Sequence, residues 1–286
     1  NSQQHLGYLP YGAHRLAASR RVRHKTRKVL SSGSLRSYVE DGLRKRWSPE
    51  QISGRVAKDF PVDVTMRACT ETIYAAIYDD GPHGLGRDRT LVTRTRRTRR
   101  QPHRKLTSRR RRFVEPMRSI HDRPAEAETR QVPGHWEGDL IVGAMHRSAI
   151  GTVVDRSTRF VHLVHLEADH NADTVRDGLV ATMKDMPAGL RRTLTWDQGA
   201  EMSEHETFRR ATGIDVYFAD PGSPWQRGTN ENTNGLLREY FPKGSDLSQH
   251  TSAHLQHVAD ELNSRPRKAL DWDTPAERQR TLLDSK

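Results

Sequence analysis

The sequence predicts an α/β protein, a mixed five-stranded sheet flanked by helices, preceded by a small all-α module and a basic linker. Three observations carry that prediction. Apolar residues recur at three- and four-residue spacing through much of residues 34–78, which is helical periodicity. From Trp136 onward the apolar residues fall into short blocks. Three such blocks come in succession and later ones alternate with helical stretches, the pattern of a sheet that is partly antiparallel and partly parallel. Between the two regions lies a segment rich in Arg, Gly, Pro and Thr with little periodicity. A chain of 286 residues, 33% of them hydrophobic, exceeds one average domain and does not supply a single large core. The expected divisions are residues 1–80, 81–131 and 132–286.

Residues 12–30 have a basic helical pattern with sparse apolar positions, too few to form a core alone. Leu35, Tyr38, Val39, Leu43 and Trp47 then mark an amphipathic helix. Ser48 suits a helix cap and Pro49 the first helical position of the next helix. Thr70, another capping type, opens a third helix ending at Tyr78. Three short helices resemble a helix-turn-helix module or an ordinary small bundle, and the adjoining basic run favours the DNA-binding reading.

Thirteen of the 48 basic residues and one of the 36 acidic ones fall between Arg87 and Arg112, so this run carries the whole net charge of +12 and the remainder is balanced. Localised charge of this kind suits a polyanion, since each neutralised phosphate releases condensed counterions. A solvated linker is the plainer reading of a charge run. The bias to arginine favours phosphate, which guanidinium matches bidentately. Arg96, Arg97, Arg99, Arg100, Arg109, Arg110, Arg111 and Arg112 are therefore candidate DNA contacts. No run of eighteen apolar residues and no secretory signal pattern is present, so no membrane partner is expected. The single cysteine, Cys69, excludes an intrachain disulfide and a cysteine-cluster zinc site. The first residue is Asn rather than Met, which places the expected natural start upstream.

Within the linker a short helix is expected around Phe113 to Ile120. Strands are expected over Trp136 to Val142, Ala149 to Asp155 and Arg159 to Leu166, the last two joined by a polar turn into a hairpin. A helix over Ala172 to Lys184, a strand over Leu190 to Trp196, a helix over Glu204 to Thr212 and a strand over Asp215 to Phe218 follow. Helices over Gly228 to Tyr240 and Thr251 to Asn263 complete the order.

Three carboxylates stand out. Asp139 lies inside a strand and shares a face with Glu137, so either can be the functional acid and the other its neighbour. Asp197 follows an apolar strand, where ligand residues of α/β sheets gather, although a turn role explains a lone aspartate as well. Glu231 sits near a helix start, a position that capping alone can account for. Asn234 and Arg238, three and seven residues on, share its helical face and suit a phosphate clamp beside a metal ligand, or simply a charged surface. Before that helix, Gln226 and Arg227 are candidate DNA contacts, and Trp225 reads as a contact or a core anchor, with packing favoured. His162 and His165 alternate faces of a strand and form no zinc pair.

The motifs Trp47-Ser-Pro-Glu-Gln-Ile, Gly134-His-Trp-Glu-Gly-Asp-Leu-Ile, Thr195-Trp-Asp, Tyr217-Phe-Ala-Asp-Pro, Pro224-Trp-Gln-Arg-Gly-Thr-Asn-Glu-Asn-Thr-Asn-Gly-Leu-Leu-Arg238 and Asn263-Ser-Arg-Pro-Arg-Lys268 occur in this order. Together they resemble the DDE transposases of the bacterial insertion sequence 30 family, whose core has the ribonuclease H-like, retroviral-integrase fold. The resemblance implies Asp139, Asp197 and Glu231 as catalytic metal ligands and Arg238 as a contact to the element's end. It implies two oxygen-ligated Mg²⁺ ions, with Mn²⁺ as substitute, and nicking followed by strand transfer without a covalent protein nucleophile. Double-stranded DNA at the element's ends and at the target, a homo-oligomer of two or more copies, and a bacterial cytoplasmic, nucleoid-associated location are implied as well. Two departures stand against the family pattern. Gln198 replaces the usual Asn after the second aspartate, and the family's additional N-terminal helix-turn-helix region is expected to precede most of this chain. A DNA-binding regulator with an idle core, and a nuclease without strand transfer, are the competing readings.

Overall fold

Ser48 closes a reciprocal cap on the helix Pro49–Asp59, its hydroxyl accepting from the Gln51 N–H at 3.2 Å while Gln51 Oε1 accepts from the Ser48 N–H at 2.8 Å. In this computed structural model, residues 28–79, 84–85, 115–166 and 169–284 are described, with Tyr11 and Arg15. Most of the basic pattern at 12–30 and all of the arginine run lie outside the described residues. The described chain forms two compact units, one helical and one built on a sheet.

The helical unit contains α1 (Lys28–Ser31), α2 (Gly33–Arg44), α3 (Pro49–Asp59) and α4 (Thr70–Ile77). Val29, Leu35, Val39, Ile52, Val56, Ile73, Ala76 and Ile77 are all nearly inaccessible to solvent and make its core. The expected cap at Thr70 is corrected. Thr70 is the first helical residue, and Cys69 precedes it without a side-chain cap.

The sheet unit opens with α5 (Glu126–Thr129) and then β1 (His135–Val142), β2 (Ala149–Asp155) and β3 (Val161–His165). Next come α6 (Ala172–Met183), β4 (Thr193–Trp196), α7 (His205–Thr212) and β5 (Asp215–Phe218). Then follow α8 (Gly228–Leu237), α9 (Ser252–Asn263) and α10 (Pro275–Asp284). The strand order is β3-β2-β1-β4-β5. β1 to β3 pair antiparallel, whereas β1 with β4 and β4 with β5 pair parallel, as the blocks of apolar residues required.

Alternation along the strands feeds two cores. Trp136, Val153, Leu194, Trp196, Val216 and Phe218 pack on one face with Val175, Leu179 and Met183 of α6 and Phe208 of α7. Ile141, Ile150, Val154 and Val161 pack on the other with Leu237, Phe241, Leu255, Val258 and Leu262. Each such fully buried side chain contributes about 1.5–3 kcal/mol. The odd-numbered positions of β1 thus point toward α8, and that includes Glu137 and Asp139.

Four local expectations change. The described part of the expected Phe113 to Ile120 helix is extended: Pro116 blocks a helix, and Ser119 bridges to Phe218 along the open edge of β5. The fourth strand starts at Thr193, after a short 3₁₀ turn over Ala188–Leu190. The third begins at Val161 because Arg159, at φ 62°, belongs to the turn. The helix α10 was not anticipated, although Thr274-Pro-Ala-Glu277 announces it: the Glu277 N–H donates to the Thr274 hydroxyl and the Thr274 N–H to Glu277 Oε2. Among the described residues no helix is long and apolar enough to cross a membrane.

Buried Asp155 and partly buried His162 give the unit opposed responses to pH. Burial pushes the Asp155 carboxyl up to about 6, and burial among Trp136 and Phe160 pulls the His162 imidazole down to about 4. Between pH 4 and 6 the folded state binds the extra proton at Asp155, so this group's stabilisation is lost as pH rises; at His162 the unfolded state binds it, so stability is lost as pH falls below 6.5. Replacing His162 with Phe removes only the second response. Relative to wild type, His162→Phe should gain stability progressively from pH 6.5 to 4, by on the order of 2 kcal/mol, read from denaturant midpoints across that range.

Candidate active site

The parallel register of β1 and β4 pairs His135 with Thr193, Trp136 with Leu194 and Glu137 with Thr195. Carried two residues further, the same offset sets Asp139 beside Asp197 at the carboxyl end of β4, where the strands open to solvent. Gly138 makes this approach possible. A Cβ there would lie 2.1 Å from the Trp196 ring, so only glycine lets the indole pass beneath the strand.

A guanidinium spans the two aspartates. Arg227 donates from Nη1 to the Gly138 carbonyl at 2.8 Å and from Nη2 to Asp197 Oδ2 at 3.2 Å, and its Nη1 lies 3.5 Å from Asp139 Oδ1. Arg227 stands at the start of α8, and residues 227, 231, 234 and 238 fall on one face by helical spacing. From that face Asn234 donates from Nδ2 to Asp139 Oδ2 at 3.0 Å. Arg238 caps the helix end and donates to the Phe241 carbonyl. Partial burial lowers the pKa of its guanidinium and the charge of Asp139 opposes that shift. Glu231 lies between these residues on the same face, exposed and without a hydrogen bond or ion pair among the described residues.

Burial raises the pKa of the Asp139 carboxyl, Arg227 pulls it down and the nearby Asp197 charge raises it again. Glu201, which accepts from the Trp196 indole at 3.3 Å, is also raised, first by burial and then by Asp197 and Asp139. Among the described residues no three His, Cys, Asp or Glu side chains are gathered closely enough to hold an ion. The donors that would hold one are nevertheless of the right kind. They are hard carboxylate oxygens, and the buried Asn234 Oδ1 beside Asp139 has no partner of its own.

The loop before α8 is tied at both flanks. Gln226 and Asp220 exchange two bonds of 2.8 Å each, so Gln226 holds the loop rather than standing free in solvent. Gln198 donates to the Ala219 carbonyl at 3.2 Å, a use of its extra methylene that ties the Asp197 turn to the end of β5. Trp225, between the tied residues, is 70% exposed; the expectation that it packs is corrected, since its ring lies outside both hydrophobic clusters of the sheet unit. The eight candidate arginines between Arg96 and Arg112 lie outside the described residues.

Glu137, which shares a face of β1 with Asp139, has quite different surroundings. It is fully buried and turned to α8: Oε2 accepts from the backbone N–H of Thr229 at 2.8 Å and of Asn230 at 3.0 Å, and Oε1 accepts from Arg156 Nη1 at 2.5 Å. Arg156 in turn faces Glu128 at 3.6 Å, Glu128 pairs with Arg123, and Arg123 donates to the Thr195 hydroxyl at 2.9 Å. Breaking one side of a buried pair of this kind costs about 3–5 kcal/mol. The Thr152 hydroxyl, opposite Asp139 on β2, reaches Asn230 Oδ1 at 2.9 Å. Neither Glu137's partners nor Thr152 could be assigned from sequence spacing, because each acts across elements far apart in the chain, and Glu201 was passed over although it lies only four residues after Asp197.

A mixed sheet with one carboxylate inside β1, another just past the end of the adjacent parallel strand β4, and a helix bearing a third laid against the sheet is the arrangement of the integrase-core class of polynucleotidyl transferases. Residues 129–224 match the family described as Integrase core domain. The transposase for insertion sequence element IS1086 of Cupriavidus metallidurans is 46% identical over 261 residues, which cover 91% of this chain and 75% of the relative. Transposase InsI for insertion sequence element IS30A of Escherichia coli is 41% identical over 85% of this chain, which spans 63% of that relative's length. The transposase for insertion sequence element IS4351 of Bacteroides fragilis is 34% identical, over 93% of this chain and 79% of the relative. The chain belongs to the insertion sequence 30 family of DDE transposases. Among solved structures, a chain of a simian T-cell lymphotropic virus intasome in complex with PP2A regulatory subunit B56 gamma is similar over 53% of each chain, at a TM-score of 0.38 and 19% identity.

The glycine under Trp196 offers a direct check of this geometry. Gly138→Ala should destabilise the protein by about 1–3 kcal/mol through overpacking, seen as a lower thermal midpoint, and Trp196→Leu in the same chain should recover part of the loss.

Proposed function

We propose that this chain binds the ends of its insertion sequence and catalyses divalent-metal-dependent cleavage and strand transfer on double-stranded DNA, with Asp139, Asp197 and Glu231 as the metal ligands. The observation that carries the proposal is the register that sets Asp139 beside Asp197, with Glu231 on the helix face from which Arg227 and Asn234 reach those aspartates. Bound there, two Mg²⁺ ions, or Mn²⁺ in their place, supply the Lewis acidity for attack of water or a DNA 3′-hydroxyl on a phosphodiester and for departure of the leaving oxygen. The chain's own residues prepare the site. Asn234 orients the Asp139 carboxylate. Arg227 keeps the aspartate pair together against its mutual repulsion, and its guanidinium suits a phosphate once it is released from them. Arg238 extends the cationic line away from the carboxylates along the same helix.

Trp225 offers an exposed ring whose backbone is held by the bonds of Gln226 and Arg227, which suits stacking on a base at a DNA end. The arginine run supplies sequence-independent phosphate contacts. Simultaneous handling of two element ends calls for an assembly of two or more copies acting with the nucleoid DNA of a bacterial cytoplasm. Retention of all three carboxylates favours the enzyme over a regulator with an idle core.

Three measurements test this. Labelled end DNA incubated with Mg²⁺ or Mn²⁺ should be nicked and joined by wild type and left intact by Asp139→Asn and Glu231→Gln; equal product from all three removes the assignment, and nicking without joining marks a nuclease. Trp225→Ala should weaken binding of end DNA about tenfold, in keeping with one lost base stack, without changing the thermal midpoint. Replacing several of the arginines between Arg94 and Arg112 with Gln should flatten the dependence of DNA affinity on salt, by close to one unit of slope per lost phosphate contact.

A further inference from the structure

Each of the three proposed ligands has, two positions before it, a residue tied into one continuous polar network: Glu137 before Asp139, Thr195 before Asp197 and Thr229 before Glu231. Glu137 is the centre of that network. Its two oxygens are divided between α8 and Arg156, and Arg156 leads through Glu128 and Arg123 to Thr195 on β4.

We infer that Glu137 is the positioning residue of this site, fixing where the helix that carries Glu231 begins and which way it is turned relative to Asp139. The inference rests on the metal-ligand reading of Glu231. The first N–H groups of any helix lack internal partners, and the residue before α8, Arg227, caps none of them because a guanidinium has no acceptor to offer. Thr229 and Asn230 are 2% and 0% exposed, so water does not reach this end of the helix. A buried carboxylate from the neighbouring strand takes both N–H groups on one oxygen. Its charge is favoured by the positive end of the helix and balanced by Arg156.

The geometry makes this more than a cap. Glu137 and Asp139 share a face of β1 about 7 Å apart, and Asn230 adjoins Glu231. One rigid strand therefore bears both the acid that anchors the helix and the acid with which Glu231 must cooperate. With the Asn230 N–H pinned, the direction of Glu231 is set by the helical turn alone. Glu137 touches neither metal nor substrate on this reading; it acts through Glu231.

The test is Mn²⁺ affinity of the whole chain, measured by calorimetry well below the thermal midpoint of each variant. Glu137→Gln keeps an acceptor for the two N–H groups but loses the charge held by Arg156, and Glu137→Leu loses both. We expect Mn²⁺ binding to weaken about tenfold to a hundredfold in Glu137→Leu, with a smaller loss in Glu137→Gln. In a Glu231→Gln background neither substitution should weaken it further, because the ligand on which Glu137 acts is already gone. Should Glu137→Leu fail to fold, the same comparison on Glu137→Gln decides the matter. Unchanged affinity in the single variants, or equal losses with and without Glu231, would overturn the inference. Wild type that binds no Mn²⁺, or binds it as tightly with Glu231→Gln, would instead overturn the metal-ligand reading itself.

Discussion

β1 pairs antiparallel with β2 on one side and parallel with β4 on the other, and almost everything else in the sheet unit follows from that double commitment. The antiparallel side supplies Thr152 opposite Asp139 and the turn that carries Arg156. The parallel side fixes which residue of β4 meets Asp139. A slip of one residue in either pairing would turn Glu137 and Asp139 away from α8 and bury Trp136 against the wrong helices. Two cores resist such a slip, since the indoles of Trp136 and Trp196 are sealed on one face and Ile141 on the other.

Charge is the second constraint. Glu137, Asp139, Asp197 and Glu201 bring four acidic groups close together in surroundings that are partly or wholly withdrawn from water, and each is answered differently. Glu137 has a buried arginine and a helix end, a full match. Asp139 and Asp197 share Arg227, and Asp139 remains raised in pKa despite it. Glu201 has an indole N–H and no cation, and is raised as well. The fully compensated acid is structural, and the under-compensated ones face the open end of the strands. That shortage of positive charge beside Asp139 supports the metal-ligand reading proposed for it.

Much of this could be seen in the chain before folding. The five strands and the helix within each parallel crossover follow from short apolar blocks and helical spacing, while the errors were one helix expected in vain, one helix missed (α10) and several boundaries. They arose where Pro116 favoured edge pairing over a helix, and where the left-handed Arg159 delayed a strand. The three acids could be singled out because Asp139 interrupts an apolar strand, Asp197 follows one and Glu231 sits near a helix start. Glu137 was visible as a rival to Asp139, yet nothing in an alternating strand says which of two acids on one face will meet solvent. Trp225 misled because large aromatics are usually buried, and only the folded loop leaves its ring in solvent.

By itself, the sequence determined the elements, their order, the localisation of excess charge, and the family, since all of these reside in local periodicity and contiguous motifs. The tertiary structure decided the division of labour among the acids. Glu137 became an anchor because the first turn of α8 lies over it, and Asp139 remained available because Arg227 and Asn234 reach it only from its edges. Those roles depend on groups separated by as many as 95 residues in the chain being brought within hydrogen-bond distance. Such pairings are set by strand register and helix packing, which no local pattern encodes.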